Sequence, residues 1–566
     1  MSSLISALAW VPQGKSARFP SKYSLDSKEL ERVSALARVE LDDAKHALME
    51  AEGVAKGAKG VKMAEDGDMV DEGWETDSDE EKDSADDSMA VDDEENAKPA
   101  DPNDLSAFNL DTYDDEPSAE ASVFSNIKGL TYYRNAEDDP YVTLKEDDDE
   151  NEREELEVLP TDNLLITAKT EDDISQLEIH CYDESEENLW VHHDLMLPAL
   201  PLCLEWLDYP PHPSADQNDA SAGPSKTHGS YIAVGTFEPE IEIWSLDTVD
   251  GLYPDGLLGR PDKSASHVPV AMGTGKKKKR VQKPREVSSD YHVGAVLGLS
   301  WNKNHRSLLA SASEDTTVKL WDLSRESTHA AVRSFNVHSD KVQAVQWNSF
   351  EPTSLLTGSY DRTVRTWDTR TPDAGVGAVL GSDVEAVRWD PFDTHGFYVS
   401  LESGLVLYFD NRTLPSFSAL SDPLNASAAK YTISAHQGAA SSLDVSPHVR
   451  GCLVTGGTDK TVKVWNINEE GKGGRRDVSM VTSRDLGVGK VFSVAFSPDT
   501  PLTVAAAGSA AKLQIWDLSA NSGVRKAFGQ RLRQAGRELK EEKKSDSGGL
   551  IGVISDDEDD GDEDME

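Results

Sequence analysis

The chain has 566 residues, 37% of them apolar and 28% charged, with a formal net charge of -48. An apolar fraction this low leaves part of the chain without a core to enter, and so negative a molecule repels bare nucleic acid and suits basic partners. Three cysteines with no C-x-x-C pair, Cys181, Cys203 and Cys452, exclude a disulfide framework or zinc finger, and no apolar run reaches the ~18 residues of a membrane helix.

In chain order, residues 1–52 open with "ISALAWVP" at 5–12, which alternates like a strand and is suited to adding to a sheet edge. "LISALAWV" at 4–11 lacks the basic flank and length of a secretory leader, so the chain is not expected to be secreted. "GKS" at 14–16 is rejected as a phosphate loop because position 9, where that loop needs glycine, is Ala9. Asp26 and Glu29 are placed like a capping box, and Leu30, Val33, Ala37, Leu41, Ala44 and Leu48 form one apolar helical stripe ending near Gly53. That helix docks on the rest of the molecule or in a partner's groove.

Residues 53–124 read as an acidic disordered region. Residues 65–95 hold 17 acids against one base, 137–157 hold 12 against two, and 555–566 hold nine against none, so three short segments carry most of the net charge. Like charges at that density oppose collapse. Ser78, Ser84 and Ser555 each precede several acids and are candidate sites for acidophilic kinases.

Residues 125–530 contain a repeat. Trp321, Trp367 and Trp465 each have an aspartate six residues earlier (Asp315, Asp361, Asp459) and a histidine 29 earlier (His292, His338, His436). Weaker copies place Tyr182, Trp244, Phe409 and Trp516 at the tryptophan position, giving seven units, three intact and four degraded. Before Phe409 the partner positions are Leu380 and Ser403, and before Trp516 they are Gly487 and Ala510. Each intact unit alternates in period two between turn residues, as in "VQAVQWN", "SLLTGS" and "TVRTWD". Histidine and aspartate recurring at this spacing are structural rather than catalytic, and no nucleophile, acid and base constellation remains once the repeat is accounted for. His192 and His193 form no zinc-ligand pattern. Neither a metal nor another cofactor is expected, and neither a membrane nor a small-molecule substrate.

The excess spacing locates insertions at 209–230 and 250–290. The second carries "KKKKR", Lys276, Lys277, Lys278, Lys279 and Arg280, which reads as a nuclear import signal in a long loop. Residues 531–566 read as a basic helix and an acidic tail. In "VRKAFGQRLRQAGRELKEEKK" Val524, Phe528, Leu532 and Leu539 share a helical face among Arg525, Lys526, Arg531, Arg533 and Arg537; its start either closes the ring as an outer strand or the whole forms a helix able to meet RNA phosphates.

The signature resembles the WD40 family, whose repeats form four-stranded propeller blades. The fold this implies is all-β: a seven-bladed propeller with an N-terminal helix and disordered acidic segments. In that family the histidine, a strand serine or threonine, the aspartate and the tryptophan are joined by hydrogen bonds, and the nine residues named above match those positions. Glu314, Tyr360, Arg362 and Thr458, which flank the turn aspartates, are expected on one face as partner contacts. Segments outside the repeat, "AWVPQGKSARFPSKYSLDSKELERV" (9–33), "DPYVTLKEDDDE" (139–150), "LPTDNLLITAKTEDDISQLEIHCYDE" (159–184) and "VHHDLMLPALPLCLEWLD" (191–208), resemble the periodic tryptophan protein 1 family of nuclear WD-repeat proteins. That resemblance implies a non-catalytic scaffold of nucleus and nucleolus acting in ribosomal RNA processing and large-subunit assembly. Its expected partners are ribosome assembly factors, ribosomal proteins and pre-ribosomal particles, with ribosomal RNA or histones as further candidates. Two alternatives stand beside it: a histone-binding factor at ribosomal DNA, and a substrate receptor of a cullin-type ubiquitin ligase, for which "WDTR" (367–370) and "FDNR" (409–412) fit the W-D-x-R pattern.

Overall fold

Seven four-stranded antiparallel sheets surround one axis in the computed structural model. It describes residues 3–23, 153–211, 228–260, 287–325, 330–419, 429–468, 477–537 and 548–553. All of them belong to one structural unit made of 1–24 and 149–566. The expected N-terminal helix, Ser78, Ser84, Ser555 and Lys276 to Arg280 lie outside the described residues.

Each blade is a meander of strands a to d. Blade 4 is the most regular: a is Val342–Trp347, b is Ser354–Ser359, c is Thr363–Asp368 and d is Thr371–Val379. Strand b is buried from Leu355 to Ser359, as a sheet packed on both faces by neighbouring sheets requires, and strand a buries Val342, Val345 and Trp347. Strand a of every blade packs against strand a of the next, including Val491–Phe496 of blade 7 against Ser3–Val11, so the ring is closed. The shared order puts all turns between b and c on one face of the ring, together with the crossings from d to the next a. The connections from a to b and from c to d lie on the other face.

Closure departs from the domain limits expected from sequence. Ser3–Val11, set apart there with 1–52, is strand a of blade 1 and pairs antiparallel with Asn163–Glu171. The propeller therefore begins at residue 3, and the connection from a to b in this blade contains the whole acidic region. At the other end, 531 is not a boundary. Ser522–Gln534 forms one helix, capped by Asn521, whose side chain accepts from the backbone N–H of Gly523 and Val524 at 2.8 and 3.3 Å. Leu550–Gly552 then returns as strand d of blade 7, against Gln514 to Trp516. The last outer strand thus comes from beyond the helix and not from its start. The 250–290 insertion is also narrower than expected, since Gly256–Leu258 is strand d of blade 2.

The reason both termini enter the ring is burial. Ile5, Leu8 and Trp10 meet Leu165, Tyr182 and Leu189 of blade 1 and Ala505, Ala507, Leu513, Ile515 and Ile551 of blade 7 in one apolar cluster. Trp10 Nε1 donates to Ala495 O at 3.2 Å and Gln13 N to Asp499 Oδ2 at 2.7 Å, both in blade 7. Residues 16–23 then run to blade 2, where Ala17 N donates to Asp247 Oδ1 and Ser21–Lys22 pairs parallel with Thr248–Val249. Arg153 lies over the Phe19 ring at 4.4 Å and Val158 N donates to Arg18 O at 2.9 Å, so the chain that leaves after residue 23 returns beside its point of departure.

Candidate functional site

The polar chains of the three intact blades are built alike. In blade 3, Trp321 Nε1 donates to Ser311 Oγ at 2.8 Å, Ser311 Oγ lies 2.6 Å from His292 Nε2, and His292 Nδ1 lies 2.9 Å from Asp315 Oδ2. Asp315 further accepts from Val293 N, Thr317 N and the Thr317 hydroxyl. Blade 4 joins Trp367, Thr357, His338 and Asp361 in the same order, and blade 6 joins Trp465, Thr455, His436 and Asp459. One proton arrangement satisfies every atom: indole N–H to hydroxyl oxygen, hydroxyl to His Nε2, and His Nδ1–H to carboxylate.

Electrostatics agree with that arrangement. Burial pushes the imidazoles of His292, His338 and His436 below their ordinary value, and their carboxylate partners only partly offset it. For Asp315 and Asp361 burial acts upward, but the bonds from His292 and His338, with those from Thr317 and Thr363, hold the carboxyls below the usual range. The same balance sets Asp459 at about 2. Neutral histidine beside ionised aspartate is therefore the resting state. The three imidazoles are expected to be neutral at pH 7 as the Nδ1–H tautomer, and heteronuclear NMR of their ring nitrogens checks this. An unfolded histidine takes up its proton near pH ~6.5, so the unfolded chain binds more protons below that value. These sites thus contribute stability that is present above about pH 6.5 and lost as pH falls. Glu242, raised to about 7 by burial despite the bond from Trp244 Nε1, titrates with the opposite sign.

Among the degraded blades, blade 5 replaces the chain as a set. Leu380, Val399 and Phe409 occupy the histidine, hydroxyl and tryptophan positions and pack together in one cluster. Removing all partners at once leaves no orphaned donor, which explains how the repeat decays without harm.

Sequence reasoning missed a second aromatic period, twenty residues ahead of the first: Trp301, Trp347, Trp389 and Phe496 precede Trp321, Trp367, Phe409 and Trp516. These are strand a residues. Trp347 Nε1 donates to Ser300 O at 3.1 Å and Trp389 Nε1 to Gln346 O at 3.3 Å, each reaching back to the preceding blade. The residue before each aromatic position serves the next blade in turn. Glu205 Oε1 accepts from Trp301 N, Ser300 Oγ from Trp347 N, Gln346 Oε1 from Trp389 N and Asp444 Oδ2 from Phe496 N, at 2.7 to 3.1 Å. Strand a is the inner edge of its sheet, and these side chains satisfy backbone N–H groups that would otherwise face the axis unpaired.

Glu314, Tyr360, Arg362 and Thr458 stand on turns between strands b and c, hence on one face of the ring. Glu314 and Arg362 are exposed, Tyr360 and Thr458 half-buried. Lys341 Nζ lies 4.1 Å from the Tyr360 ring and Arg362 pairs with Asp383 at 3.1 Å, so two of the four already hold neighbours. Thr316, Arg362 and Lys460 take left-handed backbone angles of 69°, 62° and 67°, held by the preceding aspartates, which cap the turn from inside. Arg370 and Arg412, on the opposite face, fold back onto Asp368 and Asp410 at 2.6 and 2.7 Å.

Such a ring, rigid and displaying turns on two faces, is a WD-repeat propeller, and the WD domain, G-beta repeat model matches residues 287–322, 330–368 and 428–466. A propeller of this kind is a scaffold for protein–protein interaction. The chain is 35% identical to periodic tryptophan protein 1 of Saccharomyces cerevisiae, over 95% of this chain and 92% of that protein. It is also 41% identical to an uncharacterised WD repeat-containing protein of Schizosaccharomyces pombe, over 94% and 92%, and 26% identical to the periodic tryptophan protein 1 homolog of Drosophila melanogaster, over 93% and 96%. The chain belongs to the periodic tryptophan protein 1 family.

Proposed function

We propose that this propeller is a non-catalytic scaffold of the nucleus and nucleolus that serves ribosomal RNA processing and assembly of the large ribosomal subunit. The observation that carries the reading is that the likeness to the periodic tryptophan protein 1 family extends over almost the full length of both chains and is not confined to the repeats. The segments outside the repeat that carry the resemblance are structural: 9–23 helps close the ring and 159–208 builds blade 1 and the inner strand of blade 2. Partners are ribosome assembly factors and ribosomal proteins, rich in Lys and Arg, which suit a chain of net charge -48. Depletion of the protein tests this reading. Large-subunit precursor RNA should accumulate while small-subunit processing continues, and equal loss of both would overturn it.

Import rests on the lysine run. Replacing Lys276 to Arg280 by alanine is expected to leave the protein in the cytoplasm, read by imaging of a fluorescent fusion; entry at the wild-type level would assign the signal elsewhere.

A second reading is histone binding. It is favoured by the acids on the turns between b and c, Asp172, Asp173, Glu238, Glu240, Glu314 and Glu402. A partial likeness, 26% over 32% of this chain, to a histone acetyltransferase type B subunit 2 of Debaryomyces hansenii points the same way. Salt-resistant capture of core histones in preference to ribosomal precursors would favour it. For the ligase-receptor reading, Arg370 and Arg412 are exposed on one face but each is bound to its own aspartate.

A further inference from the structure

The face opposite the acidic turns carries a basic surface at blades 6 and 7, built from the C-terminal helix and two neighbouring loops. The helix buries Val524, Phe528, Gly529 and Leu532 against the core of these blades. Its exposed positions are Ser522, Lys526, Gln530, Arg533 and Gln534. Arg531 bridges to blade 6, donating to Arg450 O and Asn466 Oδ1 at 2.9 Å and to Asn468 Oδ1 at 3.0 Å. Arg537 donates to Asp499 O at 2.6 Å, beside the N-terminal segment that holds exposed Lys15. Lys526, Arg533 and Arg537 form no ion pair among the described residues. A local positive surface therefore survives in a chain of net charge -48.

We infer that this surface binds the phosphate backbone of single-stranded RNA. Three observations select that ligand. Arg533 and Arg537 each supply a guanidinium, whose planar fork matches phosphate oxygens, beside the ammonium of Lys526. Gln530 and Gln534 stand between and beside Lys526 and Arg533 as amide donors, and two turns of helix separate the two cations by ~10 Å, a spacing suited to successive contacts along a backbone. Finally, the exposed positions of the helix carry no large apolar side chain to anchor a protein partner, whereas protein interfaces draw their energy from such anchors. The inference deepens the assembly reading by naming a contact, and it rests on that reading for the choice of RNA.

The test uses the purified full chain and a short fluorescent single-stranded RNA of mixed sequence, with affinity measured against salt concentration. Each backbone contact adds about 0.7 to the slope of log affinity on log salt for single strands. The double variant Lys526→Ala/Arg533→Ala should keep its melting temperature and give a slope shallower by about 1.4. The control Lys490→Ala/Lys512→Ala, on the other face, should match the wild type. An unchanged slope in the first variant, an equal fall in the control, absence of RNA binding by the wild type, or tighter binding of polyglutamate than of RNA would each overturn the assignment, the last in favour of an acidic protein segment. Failure here would leave the assembly reading standing, because cosedimentation with precursors through protein contacts does not need this surface.

Discussion

Deleting residues 1–23 is expected to abolish the closed ring, whereas replacing 24–152 by a short Gly/Ser linker is expected to leave it intact. The two deletions differ in size in the opposite sense to their effects. Ser3–Val11 is the innermost strand of blade 1 and the surface on which blade 7 closes, with Ile5 and Val11 each 1% exposed. Its loss uncovers Leu165, Ala505, Ala507 and Ile515 and strips Asn163–Glu171 of its inner partner, leaving it paired only with Ile174–Asp183. Even the single change Trp10→Ala should cost about 3–5 kcal/mol, through the cavity and through the lost bond to Ala495 O. Urea unfolding and limited proteolysis of the variants measure this. A 1–23 deletion with wild-type stability would show that the ring does not need the strand.

The second large effect is expected in the polar chains. Asp361→Ala strands His338 Nδ1–H, the Thr363 hydroxyl and the backbone N–H groups of Ser339 and Thr363, all held by that carboxylate. Leaving these donors unsatisfied beside a left-handed Arg362 should cost on the order of 3 kcal/mol. A fivefold change, His338→Leu, Thr357→Val, Asp361→Ser, Thr363→Leu and Trp367→Phe, copies blade 5, where Leu405 stands at the Thr363 position, and removes side-chain donors and acceptors together. It should cost less than the single change, because polar groups lost as a set leave no orphan. Equilibrium unfolding of the two proteins decides it; additive losses through the set would contradict the account of how blades degrade.

The intact repeats were legible because their spacing is set by a short covalent path, from the d-to-a crossing through a b–c hairpin to the end of strand c, which varies little from blade to blade. The same regularity hides in strand a, where Trp301, Trp347 and Trp389 recur at fixed distance from the strand c aromatics, and a search keyed only to the W-D ending passes over them. Closure was not legible. "ISALAWVP" has the pattern of strand a, but its partner strand begins at Asn163, and nothing local in either segment records a pairing across so long a connection. The outer strand of blade 7 is three residues, Leu550–Gly552, too short to carry a periodic signal. For the C-terminal helix the apolar face was readable, while its docking was not. Arg531 and Arg537 look like solvent-facing charges in sequence and instead reach carbonyl and amide oxygens of blades 6 and 7.

Sedimentation of a tagged copy from nuclear extract at low salt, with RNA and proteins identified in each fraction, tests whether this ring works on precursors of the large ribosomal subunit. Comigration with large-subunit precursor RNA and its assembly factors is the predicted result. A light fraction holding the protein with core histones or with a ligase adaptor, and no precursor RNA, would contradict it.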